Sequence, residues 1–79
     1  LAHNNIGNCY YNLKEYVKAL ECYSKAINID HNFKEAHNYM GLCYYNLKEY
    51  VKALEYYSKA IKIDPNYTNA HNNMGSCYY

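Results

Sequence analysis

The chain has 79 residues and a net charge of +1, from eight lysines, no arginine and seven acidic residues. That length allows one small domain, and the charge balance lacks the clustered basic face that nucleic-acid binding requires. No apolar run approaches the length of a membrane span, so neither nucleic acid nor membrane is expected as a partner, and the cysteines, read as reduced thiols, make the expected setting cytoplasmic.

Leu1–Leu13 reads as a helix entered partway. His3, Ile6, Gly7, Tyr10 and Leu13 recur at helical spacing along one face, and Asn4, Asn5, Asn8, Tyr11 and Asn12 lie away from it. Lys14-Glu15 turns the chain. Tyr16–Ile29 is a second helix, with Tyr16, Ala19, Leu20, Tyr23, Ala26 and Ile27 inward and Lys18, Glu21 and Lys25 outward. Glu21 and Lys25 stand four apart in the order that favours an ion pair. The link Asp30-His31-Asn32-Phe33 leads to a third helix, Lys34–Leu47, and Tyr50–Ile63 follows as a fourth. In the link Asp64-Pro65-Asn66-Tyr67 the proline stops the fourth helix. Thr68–Tyr79 is the last helix, with Thr68 as its expected N-cap.

These elements repeat. Shifted by 34 residues, positions 1–33 pair with 35–67, and 25 of the 33 pairs are identical. The copies are 1–33, 34–67 and a third, 68–79, that holds a first helix only. Each copy is a helical hairpin with too little apolar surface to bury alone, so it gains a core by stacking on its neighbours. About three repeats are usually needed for stability, so the chain reads as a segment of a longer array.

Measured from the glycine of each copy, the tetratricopeptide pattern has Trp four before, Leu one before, Tyr three after, then Ala at plus 12, Phe at plus 16, Ala at plus 19 and Pro at plus 24. Counting from Gly41 gives His37, Met40, Tyr44, Ala53, Tyr57, Ala60 and Pro65; from Gly7, His3, Ile6, Tyr10, Ala19, Tyr23, Ala26 and His31; from Gly75, His71, Met74 and Tyr78. The chain resembles the tetratricopeptide repeat family over its whole length. The resemblance implies an all-α, right-handed solenoid of antiparallel helix pairs, about two and a third repeats in five helices. It says little about function, because such repeats serve many unrelated proteins.

No catalytic, cofactor or metal site is expected. Each glycine stands alone inside a helix, and neither Ser24 nor Ser58 has a histidine nearby in sequence. His3, His37 and His71 recur in the slot where the family usually has Trp, which favours packed rings. Cys9, Cys43 and Cys77 lie six residues beyond these histidines, roughly 9 Å along a helix, too far to chelate one zinc ion jointly. The same three cysteines are a repeat apart, beyond the reach of a disulfide, so four small buried thiols are expected.

The asparagines carry more. Nine of the twelve lie in first helices, where Asn is a mediocre helix former. In tetratricopeptide arrays first helices line the concave groove, and an amide offers a donor and an acceptor to peptide backbone. The expected peptide-binding wall is Asn4, Asn5, Asn8, Tyr11, Asn12, Asn38, Tyr39, Leu42, Tyr45, Asn46, Asn69, Asn72 and Asn73. The repeats also resemble those of O-linked N-acetylglucosamine transferases, whose asparagine ladder stands two before each glycine. Here that slot holds Asn5, Tyr39 and Asn73, so the middle rung is missing. The carboxylate clamp of heat-shock co-chaperones is not matched: its slots fall on Asn4, Asn8, Tyr39, Asn69 and Asn73, of which Asn8 alone agrees and none is a cation. The function expected is non-catalytic binding of an extended peptide or protein segment. The alternatives are a substrate-recruiting segment of a larger enzyme such as a glycosyltransferase, and a structural spacer. End-to-end self-association through Met74, Cys77 and Tyr78 is also expected.

Overall fold

The structure, a computed structural model, describes residues 2–77. Among them are five helices and no strands: α1 (Ala2–Asn12), α2 (Tyr16–Ile29), α3 (Lys34–Asn46), α4 (Tyr50–Ile63) and α5 (Thr68–Ser76). The expected helix ends at Leu1, Tyr78 and Tyr79, and the association surface at Tyr78, lie outside the described residues. Links of three or four residues force consecutive helices to pack side by side as hairpins. Each helix packs on the ones before and after it, and α3 also touches α5, so the protein is an all-α helical repeat solenoid.

The first-to-second helix turn is built the same way in both copies. Lys14 N donates to Tyr11 O at 2.9 Å and Glu15 N to Tyr10 O at 2.9 Å; Lys48 and Glu49 repeat this on Tyr45 and Tyr44. That pairing is the Schellman closure, which needs a left-handed residue. Lys14 and Lys48 supply it at φ 62° and 64°, where glycine would be more comfortable. Glu15 and Glu49 then precede α2 and α4 and pair with Lys18 at 3.3 Å and Lys52 at 3.6 Å.

The longer links are held by their aspartates. Asp30 Oδ1 accepts from Asn32 N at 3.0 Å, and Asp64 Oδ1 from Asn66 N at 3.1 Å. Asp64 Oδ2 also takes the Lys34 ammonium at 2.6 Å, joining the start of the second repeat to its end. The hydrogen bond holds the Asp64 carboxyl below its usual range and pushes the Lys34 ammonium up. Two local expectations change. The residue capping α5 is Tyr67, with no side-chain cap, and Thr68 is the first helical residue. Glu21 and Lys25 are not paired among the described residues, whereas their counterparts Glu55 and Lys59 meet at 3.5 Å.

The core consists of small residues and two tyrosines. Ala19, Tyr23, Ala26, Ala36, Ala53, Tyr57, Ala60 and Ala70 are fully buried, with Cys43 and Met40 beside them. Alanines let the helices approach, and each tyrosine lies against the glycine of its own hairpin. A Cβ on Gly7 would come within 2.7 Å of the Tyr23 ring, and one on Gly41 would strike Tyr57 in the same way. The expected core stripe of α1 is only partly covered: Ile6 is 47% exposed where Met40, one repeat on, is 4% exposed. Leu13 at 68% and Leu47 at 37% leave the core in both copies, because the chain is already turning there. All four cysteines are free, but of the four thiols expected to be buried only Cys43 is; Cys22 and Cys77 are half-buried and Cys9 is exposed. Burial pushes the Cys43 thiol up to about 12.

Candidate functional site

Successive first helices are tied at an offset of 35 residues, one more than the repeat. Asn73 Nδ2 donates to Asn38 Oδ1 at 3.0 Å, and Asn46 Nδ2 reaches the Tyr11 hydroxyl at 3.4 Å as well as Leu42 O at 2.8 Å. The same offset from Asn4 lands on Tyr39. Asn4 is 8% exposed, and its Oδ1 has no hydrogen-bond partner among the described residues. Tyr39 instead stacks on Tyr23, with centroids 5.5 Å apart and planes at 18°, and meets Tyr11 edge-on at 5.7 Å. The interrupted ladder thus becomes an aromatic junction between α1 and α3, with an unpaired amide oxygen left behind.

The amide run has a second internal use. Tyr23 donates its hydroxyl to Asn8 Oδ1 at 2.6 Å. In the second copy the slot of Asn8 holds Leu42, and the Tyr57 hydroxyl is buried with no partner among the described residues. Burial raises both phenols above their ordinary value. The repeating histidines are also structural. His37 Nε2 lies 3.1 Å from His31 O and His71 Nε2 2.8 Å from Pro65 O, so each ring ties a first helix to the link before it. Burial lowers the His37 pKa, opposed by the hydrogen bond to that carbonyl.

Between α3 and α5 lies a depression of about 390 Å³, lined by Glu35, Asn38, Tyr39, Leu42, Tyr67, Asn69, Asn72 and Asn73. Six of these were expected from the sequence. Asn69 and Asn72 are exposed, whereas Asn38 is 3% exposed and shares its amide with Asn73 at the base. The other expected residues lie elsewhere: Asn5 and Asn12 are exposed on α1, Asn8 is held by Tyr23, and Tyr45 meets Tyr50 edge-on at 5.4 Å. Asn4 is buried, at 8% exposure, rather than facing an open wall. Two lining residues escaped the sequence reading. Glu35 stands 34 residues before Asn69 and shares its slot, so the period itself pointed to it; Tyr67 comes from the link, where no helical face marks it. Among the described residues no group of three or more His, Cys, Asp or Glu stands close enough to hold a metal ion. No helix among them is long and apolar enough to cross a membrane.

The model of the tetratricopeptide repeat matches residues 1–33 and 35–67. No curated protein sequence matches the chain. Among solved structures, MamA is similar at 28% identity and a TM-score of 0.93, over 98% of this chain and 45% of that one. The second tetratricopeptide domain of Spaghetti (RPAP3), bound to the HSP90 peptide SRMEEVD, is similar at 23% identity and a TM-score of 0.94, over 98% of this chain and 71% of that one. The first such domain, bound to the same peptide, is similar at 24% and 0.94, over 96% and 60%. The chain therefore spans less than half of MamA and under two thirds of the first Spaghetti domain.

Proposed function

The chain belongs to the tetratricopeptide repeat family, whose domains are non-catalytic protein-interaction modules, and from that premise we propose that it binds an extended peptide segment in the groove between α3 and α5. The observation that carries this reading is the depression itself, where exposed amides of Asn69 and Asn72 stand opposite Tyr39 and Leu42. An extended backbone presents a donor and an acceptor at every residue, and amides match both. The likeness to transferase repeats rests on Asn5 and Asn73; since Asn38 already engages Asn73, the amide chemistry open to a ligand falls to Asn69 and Asn72. No lysine or arginine lines the groove, so the acidic peptide of the Spaghetti domains has no counter-charge here.

Neutral hydrogen bonds contribute about 0.5–1.5 kcal/mol each, so a handful of them gives micromolar or weaker binding. The test selects nonapeptides from a random library on the 79-residue chain and titrates them against two double variants. Asn69→Ala with Asn72→Ala should weaken binding roughly tenfold. Lys18→Ala with Lys52→Ala, on the second helices, should leave it unchanged. A library that yields no binder, or a larger loss from the lysine pair, contradicts the groove as the site.

A further inference from the structure

The charges around the groove specify more than its shape does. Its only carboxylate is Glu35, and it holds no cation. Seven of the eight lysines lie in second helices or turns, and the eighth, Lys34, is committed to Asp64 at 2.6 Å. Glu35 joins none of the ion pairs among the described residues, although it is half-buried. Its place in the first turn of α3 sets a negative charge beside the positive end of the helix dipole, a stabilising arrangement. The adjacent Lys34 ammonium feels the Glu35 charge but is held by Asp64 at 2.6 Å, so the carboxylate forms no ion pair of its own among the described residues.

A partly desolvated carboxylate beside tyrosine rings suits one kind of side chain. A lysine or arginine lays its methylene stem along apolar surface and presents its charged head at the end. Tyr39 and Leu42 offer that surface, while the Tyr67 ring beside them already carries the Lys34 ammonium 5.0 Å from its centroid. We propose that the depression takes a lysine or arginine side chain of the bound segment, with Glu35 as its counter-ion. The proposal rests on the groove reading above and adds to it the sign of the partner's charge. An acidic side chain in the same place would meet Glu35 as a like charge.

The test compares peptides selected from the random nonapeptide library on the wild-type chain, on Glu35→Gln and on Glu35→Lys. All three are first checked for helical circular dichroism. Wild-type selections should carry a basic residue at one recurring position, and its replacement by norleucine should weaken binding about fivefold, as for a partly exposed ion pair. In Glu35→Gln the basic preference and the fivefold difference should vanish while binding persists; in Glu35→Lys the preference should turn acidic. Binders with no basic preference, or a preference that survives Glu35→Gln, overturn the charge assignment and leave the groove reading standing. No binder from any of the three overturns both. The chain's own net charge of +1 gives no general attraction for basic peptides that would imitate the result.

Discussion

At the junction of α1 with α3 the residue two before the second glycine is Tyr39; at the junction of α3 with α5 the same slot holds Asn73. The first junction is filled by rings, with Tyr39 between Tyr23 and Tyr11, and leaves Asn4 Oδ1 unpaired. The second is closed by the Asn73–Asn38 amide pair, beside which the groove lies open. A matching exchange separates the hairpins: Asn8 receives the Tyr23 hydroxyl, while Leu42 leaves that of Tyr57 alone. The 34-residue period thus copies the backbone and the apolar core faithfully. Polar satisfaction depends on two slots at once, so changing one slot orphans an atom in the other.

The largest expected effect contrasts the glycines. Gly41→Ala drives a Cβ into the Tyr57 ring, whereas Gly75→Ala finds nothing within 4 Å among the described residues. Overpacking of this kind costs about 1–3 kcal/mol. Gly75→Ala should instead stabilise the 79-residue chain by about 0.5–1 kcal/mol, the helix-propensity difference. Thermal unfolding of the two variants checks this, and equal losses would mean that close approach of the ring is not what glycine serves at position 41.

A second contrast is one of pH. His37 is buried against α4, with Nε2 on the link carbonyl and Nδ1 unpartnered. Its folded pKa is depressed, first by burial, while in the unfolded chain it protonates near about 6.5. Its contribution to stability is therefore complete above that value and is lost as pH falls toward the lower folded pKa. Urea unfolding of wild type and His37→Gln at pH 7.5 and 5 should show a shallower loss in the variant. An unchanged slope would remove His37 from the acid response.

The helices were legible in the sequence nearly to the residue, because apolar spacing and repeat self-similarity both report on backbone and core. Tyr16–Ile29 and Tyr50–Ile63 match in full. Of the residues lining the depression, Asn38, Tyr39, Leu42, Asn69, Asn72 and Asn73 were marked by their helix face, whereas Glu35 on α3 and Tyr67 in the link were not. What was not legible were relations between helices. An offset of 35 rather than 34 decides that Asn73 meets Asn38 and Asn46 meets Tyr11, and helical periodicity within one element cannot supply that. Likewise the left-handed Lys14 and Lys48 carry no glycine to announce them. Thr68 had the chemistry of a cap, but the link enters the helix one residue earlier, at Tyr67.

The two hairpins share a backbone but not their polar closure, and the sign of two hydroxyl deletions distinguishes them. Tyr23 and Tyr57 are both fully buried, at equivalent positions, and each loses only a hydroxyl on mutation to Phe. Tyr23→Phe breaks the hydrogen bond to Asn8 and should cost about 0.5–1.5 kcal/mol. Tyr57→Phe removes a buried hydroxyl that has no partner and should stabilise by about 1 kcal/mol. The measurement is urea denaturation of both variants beside wild type, followed by circular dichroism. Opposite shifts in midpoint are the expected result; shifts of the same sign and size would contradict the claim that Leu42 orphans one tyrosine where Asn8 satisfies the other.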